Sequence, residues 1–306
     1  MVDAAAPESG AETRQRRSVY DEVMAVNVMT TSAPPAAVRI GAVSYLNTRP
    51  LVEGLEKCAD ARLSFDVPSR LLGALLEEDI DVALAPIMDA IRSPEAVAAL
   101  PVGCIASDGP TRSVKIFSRI PFEVVATLRA DPDSKTSVAL ATMVLQSRFK
   151  ADVQLVRESR PMIEAITAGV DEDAVLLIGD KVERFDHNQH GFRHVVDLGE
   201  AWRDWTTLPF VYAVWVCKAS RANDPVIRRA AIALDRQRRH NRTRIAWIAQ
   251  RRADEHGWSP DEAHAYLNAT IETQLGERER SAIDRFQSEA AACGLIAPTQ
   301  RVVWTD

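Results

Sequence analysis

Four short stretches carry side chains that could recognise or transform a small polar molecule. The first is Tyr45-Leu-Asn-Thr-Arg49, which follows the apolar run Ile40–Val43 and leads into Pro50. An apolar strand that breaks into an aromatic, an amide and a helix-opening proline puts Asn47 at the carboxyl end of the first strand of an α/β unit. Ligand crevices in open α/β sheets lie at that end. An amide donates and accepts hydrogen bonds without titrating, so Asn47 suits orientation of a ligand and not proton abstraction. The second stretch, Ser107-Asp-Gly-Pro-Thr-Arg-Ser113, is a turn between two apolar runs. Asp-Gly-Pro alone accounts for the turn. The functional reading has Ser113 begin a strand that crosses between lobes, with its hydroxyl facing a cleft.

The third stretch, Asp133-Ser-Lys-Thr-Ser137, opens a helix. Free N–H groups and the hydroxyls of Ser134, Thr136 and Ser137 could bind an anion there, or could simply cap the helix. The fourth, Leu177-Ile-Gly-Asp180, ends a buried strand. Gly179 permits close backbone approach. Asp180 is either a carboxylate at the cleft or the cap of the next helix. The cluster Asp186-His-Asn-Gln-His190 with His194 has loose spacing for a metal and reads as a solvated loop. No metal site is expected.

These residues need elements to place them. Val38–Val43 reads as a strand, Pro50–Lys57 as a helix and Leu63–Val67 as a strand. Ser69 is expected to cap a helix through Glu78, with Leu71, Leu72, Leu75 and Leu76 on its apolar side. Asp81–Pro86 is a buried strand, followed by short helices over Ile87–Ile91 and Pro94–Leu100. This β-α-β-α-β order predicts a parallel sheet. A second series follows: strands over Ser113–Ser118, Ala126–Arg129, Val153–Arg157 and Ala174–Ile178, with helices over Ser134–Phe149 and Pro161–Ala168. Asp197–Trp205 is a short helix, Pro209–Cys217 a strand, and the tail from about Asp224 to Gly294 is helical. With no Gly/Ser linker between the series, the expected hinge is a pair of crossing strands, Ser113–Ser118 and Pro209–Cys217. The expected division is a disordered extension over 1–37, a first lobe of 38–112 plus 209–306, and an inserted second lobe of 113–208.

Composition excludes several classes. The 306 residues are 46% hydrophobic and 26% charged, ordinary for a globular chain large enough for two modest domains. A net charge of -6 argues against a nucleic-acid partner, and the nine arginines of Arg228–Arg252 read as a solvated helical face because apolar residues interleave them. The four cysteines are far apart, which fits a reducing cytoplasm and neither a zinc site nor a disulfide framework. No apolar run suits a secretory signal or a membrane span, so no membrane partner is expected. No Walker loop, dinucleotide fingerprint, nucleophile elbow or HExxH motif is present. No sequence feature sets an oligomeric state.

Taken together, the motifs resemble the chorismate dehydratases of the futalosine route to menaquinone. The resemblance rests on Ile40-Gly-Ala-Val-Ser-Tyr-Leu-Asn-Thr-Arg-Pro-Leu51, Ser107–Val114, Ser134–Ser137, Leu177–Asp180 and Leu198-Gly-Glu-Ala-Trp-Arg-Asp-Trp-Thr-Thr-Leu-Pro-Phe210, in the family's order. It covers roughly residues 38–220. It implies an α/β, two-lobed fold like that of type II periplasmic binding proteins, with the ligand cleft between the lobes. It also implies a cofactor-independent lyase that removes water from chorismate to give 3-[(1-carboxyvinyl)oxy]benzoate. Asn47 and Ser113 match the family's pocket-lining asparagine and serine. Ser134, Thr136 and Ser137 match its carboxylate binders. Tyr45, Arg49 and Gly179 are the remaining substrate-contact candidates. The proton acceptor is either Asp180 or a carboxylate of the substrate itself. The competing readings are a non-enzymatic small-anion binder of the same fold and the sibling 1,4-dihydroxy-6-naphthoate synthase.

Overall fold

The computed structural model describes residues 37–131 and 135–305. Ser134 and all but the last residue of the expected N-terminal extension lie outside them. The first strand, β1 (Val38–Val43), is nearly all buried because its apolar residues are covered on both faces. It pairs in parallel with β2 (Ala61–Asp66) and β3 (Val82–Pro86). The sheet continues antiparallel through β10 (Phe210–Lys218) to β4 (Val97–Ser107), and the two-residue β11 (Val303–Trp304) adds a parallel edge. Its spatial order is β11-β4-β10-β3-β1-β2.

The second sheet holds β5 (Val114–Ser118), β6 (Thr127–Ala130), β7 (Gln154–Arg157), β8 (Ala174–Ile178) and β9 (His194–Asp197), in the order β7-β6-β8-β5-β9. The fold is thus two α/β lobes, one per sheet. Among the described residues, no helix is long and apolar enough to cross a membrane.

Several expectations are corrected. Pro94–Leu100 is not helical; Val97 onward is the first half of an 11-residue strand. A fully buried apolar run has no periodicity that separates strand from helix, and the neighbouring β10 decides it. Register shifts between β4 and β10 let Pro101 sit exposed within the strand. The expected Pro50–Lys57 helix is two short turns, Arg49–Val52 and Leu55–Lys57, broken at Gly54, whose φ is +98°. Ser69 lies inside the Pro68–Leu76 helix, because Pro68 takes the first position and Val67 the cap. The short edge strand β9 and the pair β11 carry too few residues to declare themselves.

The hinge is also different. Neither β5 nor β10 crosses; each stays within one sheet. The chain passes between lobes through residues 108–113 and through the Leu198–Thr206 helix. Asp197 joins the two crossings. Its Oδ1 accepts from the N–H groups of Thr111 (2.9 Å), Gly199 (3.0 Å) and Glu200 (3.2 Å), and its Oδ2 accepts from that of Arg112 (2.8 Å). One buried carboxylate therefore caps a helix and folds a loop onto it. Gly199 makes the contact possible, since a Cβ there would lie 2.4 Å from the Gly109 carbonyl oxygen. Below the crossing, Trp202, Phe210 and Phe286 pack edge to face, and the Trp202 indole donates to the Pro209 carbonyl at 2.9 Å.

The first lobe is clasped by Asp81. Its carboxylate accepts from the Arg39 backbone N–H (2.9 Å), from the Arg39 guanidinium (2.9 and 3.1 Å) and from Arg221 (2.7 Å). Burial opposes the charge, yet these hydrogen bonds hold the carboxyl well below the usual range. The folded state therefore binds this proton less readily than the unfolded chain does. The stabilisation is present above the unfolded value and is lost as pH falls through the folded one. Asp81→Asn should cost about 3 kcal/mol near neutral pH, the scale for breaking a buried pair. Its deficit in unfolding midpoint against the parent should shrink as pH drops from about 4 toward about 2. A deficit constant over that range in a pH series of thermal melts would contradict the assignment.

Candidate active site

The carboxyl ends of β1, β3 and β8 converge between the lobes on a cavity of about 60 Å³. Val43, Tyr45 and Asn47 line it from the first lobe with Pro86, Ile105, Tyr212 and Ala213. Ser137, Val114, Ile178 and Gly179 line it from the second, and Thr111 and Ser113 from the crossing. Among these described lining residues there is no carboxylate, imidazole, amine or guanidinium. The polar groups are one amide and several hydroxyls. That set can bind anions and hydroxyls by hydrogen bonds, but it offers no strong protein base.

Asn47 and Ser113 meet through a residue that sequence reasoning missed. The Asn47 Nδ2 donates to the Tyr266 hydroxyl at 3.3 Å, and that hydroxyl lies 2.9 Å from the Ser113 Oγ. Tyr266 is wholly buried and stacks on Trp258 with ring centroids 4.7 Å apart. Burial pushes its phenol above the ordinary range, against the opposing hydrogen bonds of Ser113 and Asn47. Tyr266 begins a π-helical turn, Tyr266–Thr270, after the Pro260–Ala265 helix. Such turns occur often at functional sites. The sequence offers no signal for it beyond an aromatic in a helical tail. Tyr212 was also missed; burial pushes its phenol up as well.

Tyr45 and Gly179 face each other across the cleft. Gly179 has φ +79° and ψ −167°, a region open essentially to glycine, and a Cβ there would lie 3.0 Å from the Tyr45 ring.

Asp180 stands beside the cavity and not among its lining. Its Oδ2 accepts from the Leu46 N–H (3.1 Å) and faces the His256 Nδ1 (2.9 Å), while its Oδ1 accepts from the Trp258 indole (3.2 Å). Both oxygens are thus engaged in tying the second lobe to the first and to the tail. Thr136 likewise serves a clasp. Its hydroxyl accepts from the Met88 N–H at 3.0 Å, next to a Lys135–Asp89 ion pair of 2.8 Å. Burial holds the Asp89 carboxyl above its usual range, partly offset by Lys135. Arg49 turns away from the cavity, pairing with Glu255 at 3.2 Å and stacking on Phe65. Asn47, Ser113, Tyr45, Ser137 and Gly179 are therefore brought together, whereas Arg49, Thr136 and Asp180 are not. His187 and His190 of the loop considered for metal binding pack on Phe117 and Phe185.

A family model described as menaquinone biosynthesis matches residues 38–292. A chorismate dehydratase from Thermus thermophilus is 28% identical over 270 residues, covering 84% of this chain and 95% of that protein. A 1,4-dihydroxy-6-naphtoate synthase from the same organism is 29% identical over 200 residues, covering 61% of this chain and 68% of that protein. A Candida albicans protein described as having the generic periplasmic binding protein fold superposes with a TM-score of 0.61 at 13% identity, covering 85% of this chain and 91% of that one. The lobes and cleft are those of the periplasmic-binding-protein fold.

The Tyr45–Gly179 contact makes a direct test of cleft geometry. Gly179→Ala combines a strained φ with a ring displaced from the cavity wall, and should cost about 1–3 kcal/mol in thermal or denaturant unfolding. An unchanged midpoint would mean that Gly179 does not hold this backbone conformation in solution.

Proposed function

The chain belongs to the menaquinone biosynthesis family, and from that premise we propose that it is a chorismate dehydratase, acting on chorismate in the cleft between its lobes. The observation that carries this reading is coverage. These two relatives are almost equally similar in sequence, but the dehydratase is matched over 95% of its length and the synthase over 68%. The chemistry of the cavity supports the same reading.

Chorismate carries two carboxylates, a hydroxyl and an enolpyruvyl ether on a cyclohexadiene ring. Dehydration removes the ring proton beside the ether and the hydroxyl on the neighbouring carbon, and the ring becomes aromatic. Aromatisation supplies the driving force. The protein's part is to hold two anions, fix the ring and assist departure of the hydroxyl. Oriented donors in a dry cleft suit that task. Asn47 orients the substrate, and Ser113 donates to the departing oxygen. The N-terminal turn of the Lys135–Phe149 helix, with Ser137 on the cavity wall, receives a carboxylate.

A substrate carboxylate takes the proton. Two observations support this reading: a lining without a carboxylate or imidazole among the described residues, and an Asp180 whose two oxygens already face three partners. Asp180 is then a fastening between lobes. A cavity of about 60 Å³ is well below the ~300 Å³ of small ligand pockets, so the lobes must part to admit the ring and close again around it.

The test is incubation of the full chain with chorismate, followed by mass spectrometry and ultraviolet absorbance. A product lighter by one water and aromatic is expected. Chorismate bound but unchanged would favour a binding protein of the same fold, and no binding would favour the synthase. Asn47→Ala should lower kcat by about 100-fold, the scale for losing one oriented donor, with the thermal midpoint retained. Asp180→Asn should keep activity within about tenfold, because loss of a true base costs about 100-fold or more. A larger loss in a folded Asp180→Asn protein would return Asp180 to the role of base.

A further inference from the structure

We propose that Tyr266 is a positioning residue of this site, setting the direction in which the Ser113 hydroxyl presents its proton. The proposal deepens the dehydratase reading and rests on it for the reaction concerned. The orientation itself follows from three side chains on three separate parts of the chain.

The Asn47 Nδ2 can only donate, so its contact with Tyr266 at 3.3 Å occupies the phenol oxygen as an acceptor. The phenol proton is then free to go to the other neighbour, the Ser113 Oγ at 2.9 Å. A serine oxygen that accepts from Tyr266 must send its own proton elsewhere. The alternatives within the protein are longer: the Thr111 carbonyl at 3.3 Å and the Thr111 hydroxyl at 3.5 Å. Ser113 lines the cavity, and Tyr266 does not. The relay therefore runs from Asn47 through Tyr266 to Ser113 and ends at whatever oxygen the ligand places there.

Tyr266 is held for this purpose. Its ring lies within 13° of parallel to the Trp258 ring, and the Trp258 indole is fixed by Asp180. Burial pushes its phenol above the ordinary range, which favours the protonated form. When the substrate hydroxyl leaves, the developing negative charge draws on Ser113, and Tyr266 draws closer behind it without giving up its proton. Bonds in such a chain strengthen one another. No atom is exchanged between Tyr266 and the ligand.

Tyr266→Phe removes the hydroxyl and keeps the stacked ring. With chorismate as substrate, the variant should lose about tenfold or more in kcat while KM stays within about threefold, since only the departing oxygen feels the change. Adding Tyr266→Phe to Ser113→Ala should cost nothing further, because the two act as one unit. An unaltered kcat, or losses that multiply in the double variant, would overturn the proposal.

A readout without substrate separates this from the assignment of function. In Ser113→Cys, Tyr266 should donate to the sulfur and favour the thiolate. Ultraviolet titration of that thiol, against the parent protein, should show its pKa rise when Tyr266→Phe is added. An unmoved thiol overturns the proposal whatever the substrate. A rise in a protein that leaves chorismate intact upholds the orientation and removes the dehydratase reading. Should Tyr266→Phe not fold, Asn47→Ala in the Ser113→Cys background tests the same relay one link upstream, with a rise again expected.

Discussion

One buried carboxylate sets the geometry on which the site depends. Asp197 gathers four backbone N–H groups, two from the loop leaving the first lobe and two from the helix leading back to it. Backbone donors taken out of water must find acceptors, and here the two interlobe crossings share one. Thr111 and Ser113 are consequently held at the cleft by a residue outside the cavity's lining. Arg112, whose N–H is one of the four, has a left-handed conformation, φ +61°, uncommon for a non-glycine residue.

Around that pivot the lobes are fastened on both sides. Thr136 and Lys135 reach Met88 and Asp89 at one edge. Asp180 reaches Leu46, His256 and Trp258 at the other. The tail is thus more than packing for the first lobe. Arg252 grips the buried Glu53 through two hydrogen bonds, and His256, Trp258 and Tyr266 lie against the second lobe and the cleft.

Much of the scaffold was legible because its signals are local. Val38–Val43 and Ala174–Ile178 are short apolar runs bounded by breakers, and both are strands with those limits. Asp197 stood visibly at a helix start, and it does cap the Leu198–Thr206 helix. Pro94–Leu100 misled because a buried apolar run satisfies helix and strand alike. Asn47, Ser113, Tyr45, Ser137 and Gly179 were legible as neighbours of one cavity because strand ends and a helix start put them on one side of their sheets.

The sequence by itself determined the alternation of strands and helices, the two-lobed α/β class and the motifs whose resemblance points to menaquinone biosynthesis. These rest on near neighbours and on residue type. The tertiary structure alone decided that Asp180, Thr136 and Arg49 face other partners, and that Tyr266 joins Asn47 to Ser113 from more than 150 residues away in the chain. A side chain's hydrogen-bond partner depends on where distant backbone segments come to rest. Burial, which makes each such bond matter, exists only once those segments have packed.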